Sequence, residues 1–491
     1  MIKSIEKSPL YGIANARSMA FFGASNNIGS MGTHILMTVL AGDFKGKIYP
    51  VHRKEAYVQN LMAYRHVEDL PEVPDLAVIV LPSAVVNPVL EACGKKGIKQ
   101  AVVVSGGFKE VGEPGAKLEK DLKKIAAQYD MKILGPNCLG VANPHQNINT
   151  TFIPNEGAPG FVGLSSQSGS FVTQMFEYLS GFGLGFSAAF SVGNEAVLDI
   201  VDCMEYLGAC PQTKVIALYI EGIQRGRAFI EAARAIVPHK PIVAFYVGGS
   251  KAGKAAGMSH TGALAGPDEL YDGMFRQAGI IRAESVEEMF DFCWALGALP
   301  IPEGNRVVIQ THSGGPGAAA ADACGRAGLE LPALSEETLA KLIPFIPSTG
   351  SVGNPVDLTF AKDFSSFFSD IPEILLAEEN ADILMVYLMS PQPVVERVLK
   401  GMGQTDEVVS EQGRKIIRSN AEQFLHHLKT QNKPVVGYTF HRYDAPMMQE
   451  VVGRGVPVFQ GAERAARATA ALVAYSKVRE RGNEVIHGKI H

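Results

Sequence analysis

The chain has 491 residues, 46% of them hydrophobic and 19% charged, with a formal net charge of -5, a globular balance that excludes disordered and collagen-like chains and leaves no excess positive field for nucleic acid. Six scattered cysteines with no CxxC pair exclude a zinc knuckle and a disulfide framework and point to a reducing, cytoplasmic setting. The start of the chain carries no apolar signal region, and no apolar run reaches membrane-spanning length, so a soluble, unprocessed protein of about three or four domains is expected.

Short β-branched runs bounded by Gly or Pro alternate with amphipathic helical stretches along the whole chain, the pattern of βαβ units and parallel sheets. Ser18 to Ala24, Lys47 to His52, Asp75 to Pro82, Gln100 to Gly107 and Lys132 to Pro136 read as five strands of an open doubly wound sheet. The polar stretch Asn143-Pro144-His145-Gln146-Asn147 has no periodicity and marks the end of that block. Strands near Phe161 to Ser166, Phe186 to Val192, Lys214 to Glu221 and Pro241 to Val247 form a second block, closed by the Pro-rich Leu299 to Gly304. A third block runs through Arg306 to Thr311, Ala381 to Met389, Pro434 to Phe440 and Pro457 to Phe459, and ends in a helix, Ala462 to Arg481.

Within the first block, Gly23-Ala24-Ser25 and Gly29-Ser30-Met31-Gly32 place glycines after the first strand and at a helix opening, where backbone N–H groups can hold a diphosphate. The spacing is not GxGxxG. The second strand ends in Tyr49-Pro50-Val51-His52-Arg53-Lys54, basic where a nicotinamide dinucleotide fold carries an acid. That suits a nucleotide with an extra ribose phosphate, coenzyme A or NADP; the alternative is a solvated turn.

Blocks two and three each begin with a strand leading into a Ser/Gly turn, Ser166-Gln167-Ser168-Gly169-Ser170 and Thr311-His312-Ser313-Gly314-Gly315-Pro316-Gly317. Either turn aims a helix N-terminus at an anion, or is ordinary capping. The strand Ala217 to Ile220 ends in Glu221, at the edge where open α/β sheets carry functional side chains. Gly248-Gly249-Ser250-Lys251-Ala252-Gly253-Lys254 falls short of a phosphate-binding loop because Ala255 stands in place of Ser or Thr. It leads instead to His260, in Ser259-His260-Thr261-Gly262-Ala263. An imidazole on a small-residue loop, with a carboxylate to hold its ring, can accept and pass on a phosphoryl group; the bland reading is a capping or core histidine.

Taken with Gly135-Pro136-Asn137-Cys138-Leu139-Gly140 and Asn354-Pro355-Val356-Asp357-Leu358, these motifs resemble, in order and over nearly the whole chain, the NDP-forming (ADP-forming) acyl-CoA synthetases, α-type subunit, relatives of succinyl-CoA synthetase. The resemblance implies an α/β protein with an N-terminal CoA-binding Rossmann-like domain (1–150) followed by two flavodoxin-like domains (151–300 and 301–491), the first carrying the phosphohistidine. It implies catalytic roles for His260 and Glu221 and phosphate binding by Ser168, Gly169, Gly314 and Gly315. It places CoA, a substrate, near Gly23, Ser25, Gly32, Lys54 and Asn137. It also implies reversible conversion of acyl-CoA, ADP and phosphate to a carboxylic acid, CoA and ATP, with ADP/ATP and Mg²⁺ on an ATP-grasp β-type partner, because no segment is left for that domain. The motif reading also allows a non-catalytic CoA or acyl-CoA sensor and an NADP-linked oxidoreductase, though no hydride-transfer site is legible.

Overall fold

The computed structural model describes residues 4–154, 158–253, 266–359, 365–389, 392–430 and 432–486, in two compact units, 1–289 and 290–491. The first unit holds two sheets. In one, strands β1 (Ser18–Phe22), β2 (Lys47–Val51), β3 (Leu76–Ile79), β4 (Gln100–Val103) and β5 (Lys132–Leu134) are all parallel, in the order β2-β1-β3-β4-β5. Every residue of β1 and β3 is buried, as expected of a parallel sheet covered on both faces. The core includes Phe22, Val78, Leu90, Phe108 and Ile133.

The second sheet of this unit contains β6 (Gly140–Asn143), β7 (Ile148–Asn149), β8 (Val162–Ser166), β9 (Phe186–Ser191), β10 (Val215–Ile220), β11 (Ile242–Tyr246) and β12 (Ile281–Ala283). Their order is β12-β11-β10-β8-β9-β6-β7. Strands β8 to β12 are parallel, and β6 and β7 add an antiparallel edge. The sequence reading places no strand in this edge and takes 143–147 as a polar stretch without periodicity that ends the first block. The stretch is a tight 3₁₀ turn, Pro144–Gln146, between two short strands, too brief to register as periodicity.

In the second unit, β13 (Val307–Thr311), β14 (Val356–Asp357), β15 (Ile383–Tyr387), β16 (Val435–Thr439) and β17 (Val458–Gln460) form a parallel sheet in the order β14-β13-β15-β16-β17. The two-residue β14 is absent from the sequence reading; the other four match it to within a few residues.

Numbered within each domain, the parallel strands of all three sheets run 2-1-3-4-5. In that order the chain reverses direction across the sheet between the first and third strands, so the crevice for a ligand lies past their C-terminal ends. Three such points follow: after β1 and β3, after β8 and β10, and after β13 and β15. Among the described residues no helix is long and apolar enough to cross a membrane. All six cysteines are free and buried.

Candidate active site

At the first switch point, Gly23 has φ +97°, and a Cβ there would stand 1.9 Å from the Val80 carbonyl oxygen. The following helix, α1 (Met31–Ala41), presses its second residue against the same loop. A Cβ on Gly32 would lie 2.2 Å from the Gly23 carbonyl oxygen, so side chains are excluded where the helix N-terminus closes on the turn. Ser30 caps α1 by accepting from the Thr33 N–H at 3.3 Å. Thr33 in turn accepts from the Ser25 N–H at 3.1 Å and donates its hydroxyl to the Ser25 carbonyl at 2.9 Å. Arg53 and Lys54 are exposed on the turn after β2, and neither enters an ion pair among the described residues. A basic turn in that state is available to an anionic ligand.

The second switch point is built around Ser166 to Gly169 and Glu221. Helix α2 (Gly169–Ser180) opens directly after β8 with Ser168 at its N-cap, and no side chain caps it, which leaves its first N–H groups without intrahelical partners. The turn is shaped locally: the Ser166 hydroxyl donates to the Ser168 carbonyl at 2.8 Å and accepts from the Ser168 N–H at 3.1 Å. Gln167, buried, reaches across to the end of β10. Its Oε1 accepts from the backbone N–H groups of Glu221 (2.5 Å) and Gly222 (3.0 Å), while its Nε2 donates to the Gly222 carbonyl (2.6 Å) and to Glu195 Oε2 (2.8 Å). Glu221 is itself buried, and its Oε2 has no hydrogen-bond partner among the described residues. Such an orphaned buried oxygen calls for a missing donor. Its charge is felt by Tyr219, whose phenol is pushed up to about 12, chiefly by burial and then by Glu221.

A cavity of about 650 Å³ joins the two switch points. Its lining includes Met31, Val80 and Ser105 from the first domain, Asn137 and Leu139 from the connecting turn, and Gln167, Gly169 and Ser170 from the head of α2. Asn137, in the left-handed region at φ +56°, donates its side-chain amide to Asn194 Oδ1 at 3.2 Å. Glu110 also lines the cavity. Burial opposes its ionisation, but hydrogen bonds from Asn194 and from the Phe108 and Gly107 N–H groups outweigh this and hold its carboxyl below the ordinary range.

His260 lies outside the described residues, which stop at Gly253 and resume at Gly266. The resuming end is fixed by the Tyr246 hydroxyl, which donates to the Gly266 carbonyl at 3.0 Å. Tyr246 ends β11, the strand beside β10, so this stem belongs to the sheet edge that carries Glu221. In the second unit, helix α3 (Gly314–Arg326) opens after β13 with the same local device, the Thr311 hydroxyl donating to the Ser313 carbonyl at 2.9 Å and accepting from the Ser313 N–H at 3.3 Å. Gly314 and Gly315 are exposed. A Cβ on Gly314 would lie 3.4 Å from Asp357 Oδ2, so a carboxylate stands beside this opening.

Three domain families match in succession: CoA binding domain over residues 17–144, succinyl-CoA ligase like flavodoxin domain over 159–296, and ligase-CoA domain over 307–388. The α subunit of acetate–CoA ligase (ADP-forming) II from Pyrococcus furiosus is 38% identical over 466 residues, covering 94% of this chain and 97% of the relative. The chain belongs to the ADP-forming acyl-CoA synthetases.

Another chain similar to this synthetase subunit is the α subunit of the Pyrococcus furiosus acetate–CoA ligase (ADP-forming) I, 36% identical over 97% of this chain and 99% of its own. Acetate–CoA ligase (ADP-forming) I from Archaeoglobus fulgidus is 41% identical over 370 residues, of which the match spans about half, 53%, of that longer chain. Among solved structures, the dinucleotide-forming acetyl-coenzyme A synthetase 1 of Ca. Korarchaeum cryptofilum in complex with phosphate and ADP superposes with a TM-score of 0.85 at 32% identity, covering 97% of this chain and 99% of that one. In this synthetase chain the sequence reading missed Gln167 as a clamp, along with Asn194 and Glu195. Gln167 stood inside a motif already singled out, but an amide carries no titration signal. Glu195 follows the end of β9, so the strand-end rule could have found it.

Proposed function

We propose that this chain is the α-type subunit of an ADP-forming acyl-CoA synthetase, in which His260 is the phosphoryl carrier and Glu221 orients its imidazole. The observation that carries the reading is the buried Oε2 of Glu221, which has no hydrogen-bond partner among the described residues, at the switch point where the uncapped N-terminus of α2 meets the cavity. An imidazole N–H is the donor such an oxygen lacks, and donation to it leaves the other ring nitrogen free as nucleophile. CoA lies along the first switch point, with its diphosphate at the N-terminus of α1 beside Gly23, Ser25 and Gly32 and its ribose phosphate at Lys54.

Inorganic phosphate, held near Ser168 and Gly169, attacks the thioester carbonyl; a C–O bond forms, the C–S bond breaks, and CoA leaves as thiolate. The His260 nitrogen then attacks phosphorus, the P–O bond to the acyl oxygen breaks, and the carboxylate departs. The phosphoryl group passes from nitrogen to the β-phosphate of ADP. Each step is reversible, so ATP-driven acid activation is the same path run backwards. The N–H groups and dipole of α2 offset the phosphate charge by roughly a kcal/mol. Gly314 and Gly315 offer a second opening of the same kind at the head of α3.

Two relatives are named as α subunits, and a third, named without a subunit, is longer than this chain, the 370 matched residues making up 53% of it. This supports a separate ATP-grasp subunit that carries ADP and Mg²⁺, and the setting proposed for the assembly is the cytoplasm. The test is incubation of the full chain with acetyl-CoA and radiolabelled phosphate. An acid-labile, base-stable label that disappears in His260→Ala is expected; a label that survives the substitution overturns the assignment.

A further inference from the structure

A carboxamide has one accepting and one donating end, so an arrangement that depends on Gln167 depends on which way the amide is turned. Backbone donors from Glu221 and Gly222 meet its oxygen, and the Gly222 carbonyl and Glu195 Oε2 meet its nitrogen. The flipped amide would set N–H against two N–H groups and its oxygen against a carbonyl and a carboxylate. Glu195 supplies the one charged partner in this set.

Glu195 is itself firmly placed. It is buried, with a left-handed backbone at φ +55°, and its second oxygen, Oε1, accepts from the Ile200 N–H at 2.8 Å. The loop before it leans on the turn that lines the cavity. A Cβ on Gly193 would lie 2.3 Å from the Asn137 carbonyl oxygen, and the Asn194 N–H donates to Pro136 at 2.9 Å. The Asn194 side chain accepts from Asn137 and donates to Glu110 Oε2 at 2.6 Å and to Glu119 Oε2 at 3.0 Å. Consecutive residues therefore hold the two halves of the site: Asn194 holds the cavity wall, and Glu195 holds the Gln167 clamp on Glu221.

We propose that Glu195 is a positioning residue for phosphoryl transfer, which through Gln167 fixes the backbone of Glu221 relative to the cavity. The proposal rests on the reading of Glu221 and His260 given above. It also carries a pH signature. Burial pushes the Glu195 carboxyl up to about 7, against the hydrogen bonds from Ile200 and Gln167, with Asp199 adding to the rise and Lys109 opposing it. Gln224 Nε2, at 3.5 Å from Oε2, and the charge-sensitive Tyr271 and Cys203 complete the groups facing it. Both carboxylate oxygens accept from donors, and a proton on either weakens the carboxyl as an acceptor, so the clamp is tightest in the ionised form.

The experiment measures the initial rate of phosphate labelling of the full chain from acetyl-CoA between pH 6 and 9, in wild type, Glu195→Gln, Gln167→Met and the double variant. Glu195→Gln presents an amide N–H to one of the two donors and loses that bond. The expected ratio of wild-type to Glu195→Gln rates rises from near one at the acid end to about tenfold at the alkaline end, with the KM for acetyl-CoA unchanged. The double variant is expected to lose no more than Gln167→Met alone. A ratio that stays flat with pH, or losses that add in the double variant, overturns the positioning role. If Glu195→Gln does not fold, Gln167→Met carries the test: it must lose the same pH-dependent step, and a wild-type profile in it refutes the proposal. Wild-type chain that takes up no label overturns the underlying phosphohistidine reading, and the proposal falls with it.

Discussion

The rings of Tyr246 and Tyr271 stack face to face, 3.7 Å between centroids and 13° from parallel, and their hydroxyls serve different segments. Tyr246 donates to the Gly266 carbonyl, where the described chain resumes after the histidine segment, and Tyr271 accepts from the Ile223 N–H at 3.2 Å, two residues past Glu221. The pair thus ties the residue at which the described chain resumes to the loop that follows Glu221.

Removing the Tyr271 hydroxyl in Tyr271→Phe should cost about 1 kcal/mol, the net worth of one hydrogen bond, read as a lower denaturation midpoint at unchanged slope. Tyr271→Ala also loses the stack and should cost about 3 kcal/mol or more. If the two variants are equally stable, the stack contributes nothing and the tie is only the hydroxyl.

Gly23→Ala and Gly32→Ala each place a methyl group about 2 Å from a backbone carbonyl oxygen. Backbone cannot rotate away as a side chain can, so each should lose roughly 1–3 kcal/mol of stability and weaken CoA binding by displacing the head of α1. Gly29→Ala is the control, because its nearest neighbour is a side-chain oxygen of Asn27 at 3.4 Å. Denaturant unfolding reads the stability loss and calorimetric titration with CoA reads the binding; equal binding in all three variants would remove this turn from the nucleotide site.

Lys54 is exposed and outside any ion pair among the described residues, so its ammonium is free to meet a phosphate. Lys54→Ala should weaken CoA about tenfold, the scale of one charge-assisted hydrogen bond, and leave dephospho-CoA binding almost unchanged. Equal losses for both ligands would place Lys54 away from the ribose phosphate.

Glu195 also leaves a mark on stability. Its folded carboxyl titrates at about 7 instead of 4.5, so between those values the folded state holds a proton that the unfolded state has released. Stability should therefore be full below pH 4.5, decline as pH rises to about 7, and level off above it, by roughly 3 kcal/mol in all. Glu195→Gln should remove this slope. A wild-type profile flat between pH 5 and 7.5 would show that the carboxyl is not desolvated as the structure indicates.

The strands were legible because parallel strands buried on both faces are local, mostly apolar runs, and the burial that covers every residue of β1 and β3 makes them visible in the sequence. Strands of two residues, such as Ile148–Asn149 and Val356–Asp357, escaped because they are shorter than any period. The Ser/Gly turns and Glu221 were legible for a different reason: a strand end followed by small residues is a local signal with a positional meaning.

What the amino-acid sequence determined alone was therefore the order of elements and the residue types at strand ends, since propensity, periodicity and turn chemistry act over a few neighbours. Only the tertiary structure decided which strand ends meet. Gln167 finds Glu195 28 positions away and Glu221 54 positions away, across strands whose adjacency is set by the 2-1-3-4-5 order and not by nearness in the chain. The buried Glu221 oxygen, without a partner among the described residues, the direction of the Gln167 amide and the displaced ionisation of Glu195 all follow from burial and pairing, which arise when distant segments exclude water together.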